Sequence, residues 1–230
     1  MVLLVGFTGF PDGAFTFYEA LRADNSRTFW LANKDTYREH VRGPMDELLA
    51  ALAEFGPFHV FRPNKDVRFS KDKTPYKDHI GAYGESEGGA GHYIHLSADG
   101  MLAGSGYYQM ATDQLERFRT AIDSPALGEE IERLSAAVER QGLRLGAMEE
   151  LKTAPRGYPK DHPRITLLRR KGLIATREWP RAGWMSTKQV VTRVRDAWTA
   201  TMDMNAWLDT HVGPSTIAPD EDELARLGRR

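Results

Sequence analysis

"HYIHLSADGMLAGSGYYQ", residues 92 to 109, decides the fold. Ile94 and Leu96 alternate with Tyr93 and His95, the period of two that marks a half-buried strand. Asp99-Gly100 is a favoured two-residue hairpin turn, so the stretch reads as two antiparallel strands. Gly104 and Gly106 fall inside the second strand, where bare backbone marks a bulge or a close approach by a chain segment or a ligand. Upstream, "FHVFRP" after Pro57 and "HIGAYGE" from His79 read as two further strands.

Helical patterns flank these strands on both sides. Phe17, Tyr18 and Leu21 recur at helical spacing, as do Met45, Leu48, Leu49 and Leu52 after a helix start at Pro44. Between them "NSRTFWLANKDTYREHV" offers Asn25 or Ser26 as one N-cap and Asp35 as another, with Phe29, Trp30 and Tyr37 expected in the core. Leu115, Phe118 and Ile122 form one later stripe; Leu127, Ile131, Leu134 and Val138 form another that stops at Gly142, and both helices should cover one sheet face. "PRITLLRRKGLIATREWP" reads as a short helix, a glycine stop and a strand, and a single long helix is expected from Thr187 to about Asp209. The order predicts an α+β fold, an antiparallel sheet from the central region packed against N-terminal and C-terminal helices. A single domain is expected over residues 1–213, with a loosely held tail over 214–230.

Composition narrows the function classes. Hydrophobic residues make up 41% and charged residues 27%, enough for a proper core. Thirty-one Lys and Arg against 32 Asp and Glu leave a net charge of −1, so any attraction for anions is local. With no cysteine there is no disulfide, thiol nucleophile or thiolate metal site. The apolar opening "MVLLVGFTGFP" lacks a basic flank and breaks at Phe-Pro-Asp-Gly, and no stretch approaches the roughly 20 apolar residues of a spanning helix, so a cytoplasmic protein with no membrane partner is expected.

One segment concentrates charge. Residues 62 to 77, "RPNKDVRFSKDKTPYK", hold six basic groups (Arg62, Lys65, Arg68, Lys71, Lys73, Lys77) against Asp66 and Asp72, a local charge of +4. The segment sits between two predicted strands rather than in a tail, so its cations should be held in place, as an anion site requires. Alternation puts Asp66 and Arg68 on one face with Ser70, and Val67 and Phe69 on the other, where Phe69 would anchor the strand.

The same segment resembles the signature of a mainly bacterial family catalogued as domain of unknown function 2461, on Arg62, Asp66, Arg68, Phe69, Asp72, Lys73 and Tyr76. Lys65 stands where that family usually has Arg, which loses a bidentate fork. "GFTGFP", "ADNSRTFWLANKDTYREHV" and "GYPKDHP" also resemble the family, so the likeness covers most of residues 6 to 180. It implies no activity and no cofactor.

Three functions stay open. The first is an enzyme or small-ligand binder that holds a phosphate- or carboxylate-bearing small molecule in a basic cleft. Arg62, Lys65, Arg68, Lys71, Lys73 and Lys77 would supply charge there, Tyr76 a hydroxyl or stacking face, and Asp66 would orient an Arg or act as base. The second is a nucleic-acid or anionic-protein module, against which the net charge speaks, so the anionic small molecule is favoured over nucleic acid. In the third the motif is an internal salt-bridge network, and loss of Arg68 should then be strongly destabilising. "RGYPKDHPR", residues 156 to 164, adds His162 as a candidate acid or base, with Asp161, Tyr158 and Lys160 beside it. No metal site is expected: His92 and His95 should face opposite sides of a strand, and His59 and His79 stand alone in the sequence. A magnesium ion arriving with phosphates could use Asp66 or Asp72.

Overall fold

The computed structural model describes residues 6–68, 71–85 and 89–217. Among these, six strands form one antiparallel sheet in the order β1-β2-β3-β4-β6-β5. The strands are β1 (Phe58–Val60), β2 (His79–Glu85), β3 (Gly91–Ser97), β4 (Gly100–Tyr107), β5 (Arg144–Gly146) and β6 (Leu173–Pro180). The chain divides into two compact units, one of Met1–Gly84, Tyr93–Ala103 and Glu178–Asp196, the other of Glu85–His92, Gly104–Arg177 and Ala197–Arg230. The fold is α+β, with the predicted hairpin across Asp99-Gly100 at its centre.

In the first unit α1 (Asp12–Ala23) buries Phe15, Phe17, Tyr18 and Leu21. Ser26 caps α2 (Arg27–Ala32) by accepting the Phe29 N–H at 3.1 Å. Asp35 caps nothing: it lies inside α3 (Lys34–Thr36) and pairs with Arg38 at 3.2 Å. A π-helical turn (Tyr37–Arg42) follows and runs without a break into α4 (Gly43–Ala50). Pro44 therefore does not open a new helix. Proline lacks an N–H, and the widened turn, in which the Gly43 N–H reaches back five residues to the Arg38 carbonyl, takes up the lost ladder position. Trp30 and Tyr37 join the core as expected, with ring centroids 4.9 Å apart. Ile80, Ile94 and Leu96 are buried on one side of the strands; Tyr83, Tyr93 and His95 are half-buried on the other.

β1 is shorter than "FHVFRP". It pairs with β2 from Phe58↔Gly84 to Val60↔Ala82, and regular pairing ends before Pro63, which cannot donate to a ladder.

In the second unit α5 (Thr112–Asp123) and α6 (Pro125–Arg140) bury Phe118, Ile122, Ile131, Leu134 and Val138 in one cluster with Tyr107 of β4 and Leu173 and Ala175 of β6. They cover one face of that part of the sheet, as the stripes predict. Gly106 has φ of 129°, and a side chain there would meet the Leu173 carbonyl oxygen 2.2 Å away. At Gly106 the segment that makes the close approach is thus β6. The short helix and glycine stop before β6 appear as α7 (Ile165–Leu168) and Gly172.

The expected long C-terminal helix is two helices, α8 (Gln189–Thr199) and α9 (Met202–His211). Buried Thr201 ends the first: its N–H and its hydroxyl both bond the Trp198 carbonyl, at 3.0 and 2.7 Å, and its own carbonyl accepts the Asn205 N–H to start the second. A threonine hydroxyl competing for a backbone carbonyl is a local break that helical periodicity does not reveal. Beyond α9, Ser215 and Thr216 bond Asp113 on α5, and residues 218–230 lie outside the described residues.

Candidate functional site

Residues 62 to 77 connect β1 to β2 as an extension of their hairpin. The Phe61 N–H donates to the Gly81 carbonyl at 2.9 Å. Further out the Lys77 N–H donates to Pro63 and the Lys65 N–H to Pro75, both at 2.8 Å. Asn64 and Tyr76 face each other between those bonds. From Phe61 to Val67 exposure alternates, and Asp66 and Arg68 share the open side, as predicted. Phe69 and Ser70, the expected anchor and its neighbour, lie outside the described residues.

The cations of the loop are not equivalent. Arg68 grips Asp66 through Nε and Nη2 at 2.9 and 2.5 Å, which raises the guanidinium pKa. Lys65 Nζ lies 2.7 Å from both Asp72 Oδ2 and the Thr74 hydroxyl. That contact, with the Thr74 N–H and hydroxyl, holds the Asp72 carboxyl well below the usual carboxylate range. Lys73 donates to the Val67 carbonyl at 2.9 Å, and Lys77 lies 4.8 Å over the Phe61 ring. Arg62 and Lys71 are exposed and have no hydrogen-bond or ion-pair partner among the described residues. Asp66 and Asp72 are both engaged by cations of the loop itself, so neither is laid out as a metal ligand.

Tyr76, expected at the ligand, is an anchor instead. The residue is 6% exposed, and its ring stacks on Trp30 with centroids 4.4 Å apart at 12°. Asn25 clasps its backbone from both ends, donating to the Tyr76 carbonyl at 3.0 Å and accepting its N–H at 3.1 Å. Asn25, read from sequence as a possible helix cap, fastens the base of the loop.

A second group of side chains escaped the sequence reading. On the half-buried side of the strands Phe61 stacks on Tyr83 at 5.6 Å and 10°, with His59 edge-on to both. Beside them His79 of β2 and His95 of β3 lie 4.9 Å apart, ring to ring. His79 Nδ1 is 2.9 Å from Asp78, and His95 Nδ1 is 3.1 Å from the Tyr93 hydroxyl. Gly81 leaves room for this arrangement: a side chain there would meet the Tyr93 hydroxyl at 3.0 Å and Phe61 at 3.3 Å. Burial, then the neighbouring His79, pushes His95 down to about 4, so it is neutral at physiological pH. Burial raises the Asp78 carboxyl, but the His79 hydrogen bond and charge and nearby Lys65 outweigh it and leave it below its ordinary value. Only strand register brings these histidines together; period-two alternation could have placed His79, Gly81, Tyr83, Tyr93 and His95 on open faces, but not side by side.

His162 belongs to the second unit, apart in the chain division from the basic loop. Its Nδ1 accepts the Arg164 N–H at 3.0 Å, so Nε2 carries the proton and donates to Asp123 at 3.1 Å. With both ring nitrogens engaged and the side chain 9% exposed, it fastens the start of α7 and presents no base. Tyr158 packs against the core of that unit. His92 is buried against Trp198, on the face opposite Tyr93 and His95 as alternation predicts.

Among the described residues no group of three or more histidine or acidic side chains is placed to hold a metal ion. No helix among them is long and apolar enough to cross a membrane. No curated protein matches the chain. A family model described as conserved hypothetical protein, domain of unknown function 2461, matches residues 13–207, a span that holds the basic loop, the histidine face and the His162 turn, and the chain belongs to that family.

Proposed function

We propose that the protein binds a phosphate- or carboxylate-bearing small molecule on the β1–β2 hairpin. The reading is carried by the uneven pairing of the loop's cations. Lys65 and Arg68 are spent on Asp72 and Asp66 and brace the loop, whereas Arg62 and Lys71 have no partner among the described residues. A braced loop pre-positions its remaining charges, which lowers the ordering cost of binding. Arg62 supplies a guanidinium fork suited to a carboxylate or phosphate edge, and Lys71 a point charge. The adjacent Phe61–Tyr83 stack and His59 offer an aromatic wall for the uncharged part of the ligand.

A second reading, in which the stretch does nothing but hold the hairpin, is favoured by the ion pairs themselves. Thermal unfolding at fixed ionic strength separates the two. The anion reading expects phosphate metabolites or small carboxylates to raise the melting temperature of the wild type, and the double variant Arg62→Ala, Lys71→Ala to keep its own melting temperature but lose the response. No response to any anion refutes it. A response confined to short oligonucleotides, steeply weakened by salt, transfers the site to nucleic acid.

A further inference from the structure

We propose that His79 is the acid–base residue of a catalytic site on this sheet face, acting on a hydroxyl-bearing phosphate or carboxylate. The substrate class rests on the anion-binding reading above; the acid–base role rests on geometry around the two histidines. Asp78 is a carboxylate and can only accept, so the 2.9 Å contact requires a proton on His79 Nδ1, and Nε2 is the nitrogen left to take up or give a proton. Nε2 has no hydrogen-bond partner among the described residues, and the side chain is 30% exposed. A carboxylate behind a histidine orients the ring and offsets the positive charge that forms when it takes a proton.

The groups around the ring suit that task. Asp78 supplies the negative charge that the imidazolium needs. His95, 4.9 Å away, is held neutral and does not repel it, and its Nδ1 is tied to the Tyr93 hydroxyl. Lys77 is over Phe61, and Lys65, at the neck of the loop, is close enough to act on Asp78. Lys77 adjoins Asp78 in the chain and is bonded through its N–H to Pro63, next to Arg62, so Arg62 and the dyad share one hairpin neck. In the step itself a substrate O–H breaks, its proton passes to His79 Nε2 to give the imidazolium, and the electron pair stays on the substrate oxygen.

The test is carbethoxylation of the full-length protein by diethyl pyrocarbonate, mapped histidine by histidine, with inorganic phosphate as the protecting anion. At a pH of about 8, above the ordinary histidine pKa, His79 is expected to react severalfold faster than exposed His59, and phosphate is expected to slow His79 while His211 is unaffected. Asp78→Asn should bring His79 down to the rate of His59 without moving the melting temperature, a pattern that a merely structural contact does not produce. The proposal is overturned if wild-type His79 reacts no faster than His59. It is overturned equally if phosphate raises the melting temperature but leaves the His79 rate unchanged, because the anion then binds elsewhere. If phosphate alters neither quantity, the anion-binding reading fails first and takes the substrate class with it.

Discussion

Replacing Tyr76 distinguishes a structural anchor from a ligand contact. The ring is buried, and one face lies on Trp30 at 4.4 Å and 12°, so truncation removes both the transfer of an aromatic side chain from water and the stacking contact. Aromatic-to-alanine changes at such sites cost about 3–5 kcal/mol, of which stacking contributes roughly 0.5–1.5 kcal/mol. Asn25 holds the backbone of residue 76 at both its N–H and its carbonyl, which limits collapse of the cavity and places Tyr76→Ala toward the upper part of that range. The hydroxyl has no hydrogen-bond partner among the described residues, so Tyr76→Phe should change stability by less than about 1 kcal/mol. Urea titration followed by tryptophan fluorescence, where Trp30 reports on the stack, measures both variants. A loss below about 1 kcal/mol for Tyr76→Ala refutes the anchor. So does a Tyr76→Phe variant that unfolds like the wild type yet no longer responds to phosphate, since the hydroxyl would then belong to the ligand site.

Asn25→Ala leaves the Tyr76 N–H and carbonyl without their partner and should cost about 1–3 kcal/mol by denaturant titration. Arg68→Ala should leave the melting temperature almost unmoved, because the side chain is 55% exposed and solvent screens its pair with Asp66; a large drop would restore the buried network as the motif's purpose. Gly106→Ala should destabilise by at least about 1–3 kcal/mol from backbone strain alone, apart from its clash with Leu173, and unchanged stability would contradict the β4–β6 approach. Burial pushes His92 from its ordinary 6.5 down to about 4. The unfolded chain therefore takes up a proton before the folded protein does: the stability involved is fully present above pH 6.5 and is lost as pH falls toward 4, on the order of 3 kcal/mol. His92→Phe should flatten that part of the stability profile, and an unchanged slope would locate the protons elsewhere.

Several elements were legible because their signals are local. Alternation over residues 93 to 96 and the Asp99-Gly100 turn need only neighbouring residues to specify a hairpin, and it forms as read. The α6 stripe from Leu127 to Val138 needs only the helical period. The breaks were less legible. Pro44 looks like a helix start, yet a π-helical turn absorbs it, and Thr201 divides a continuous apolar stripe through a hydroxyl bond that no periodicity records.

The candidate site follows the same division. The sequence determined that residues 62 to 77 carry excess positive charge between two strands, and that Asp66 and Arg68 share a face, because composition and alternation are properties of the chain itself. It could not determine which cations would be spent: Lys65 reaches Asp72 and Lys77 lies over Phe61 only because the hairpin folds back on itself. Nor could it join His79 to His95, sixteen positions apart and paired by the register of two strands, or bury Tyr76 under Trp30. Local patterns decide which face of an element a side chain occupies; which side chain it then meets depends on strand register and on the packing of distant segments, and those exist only in the folded chain.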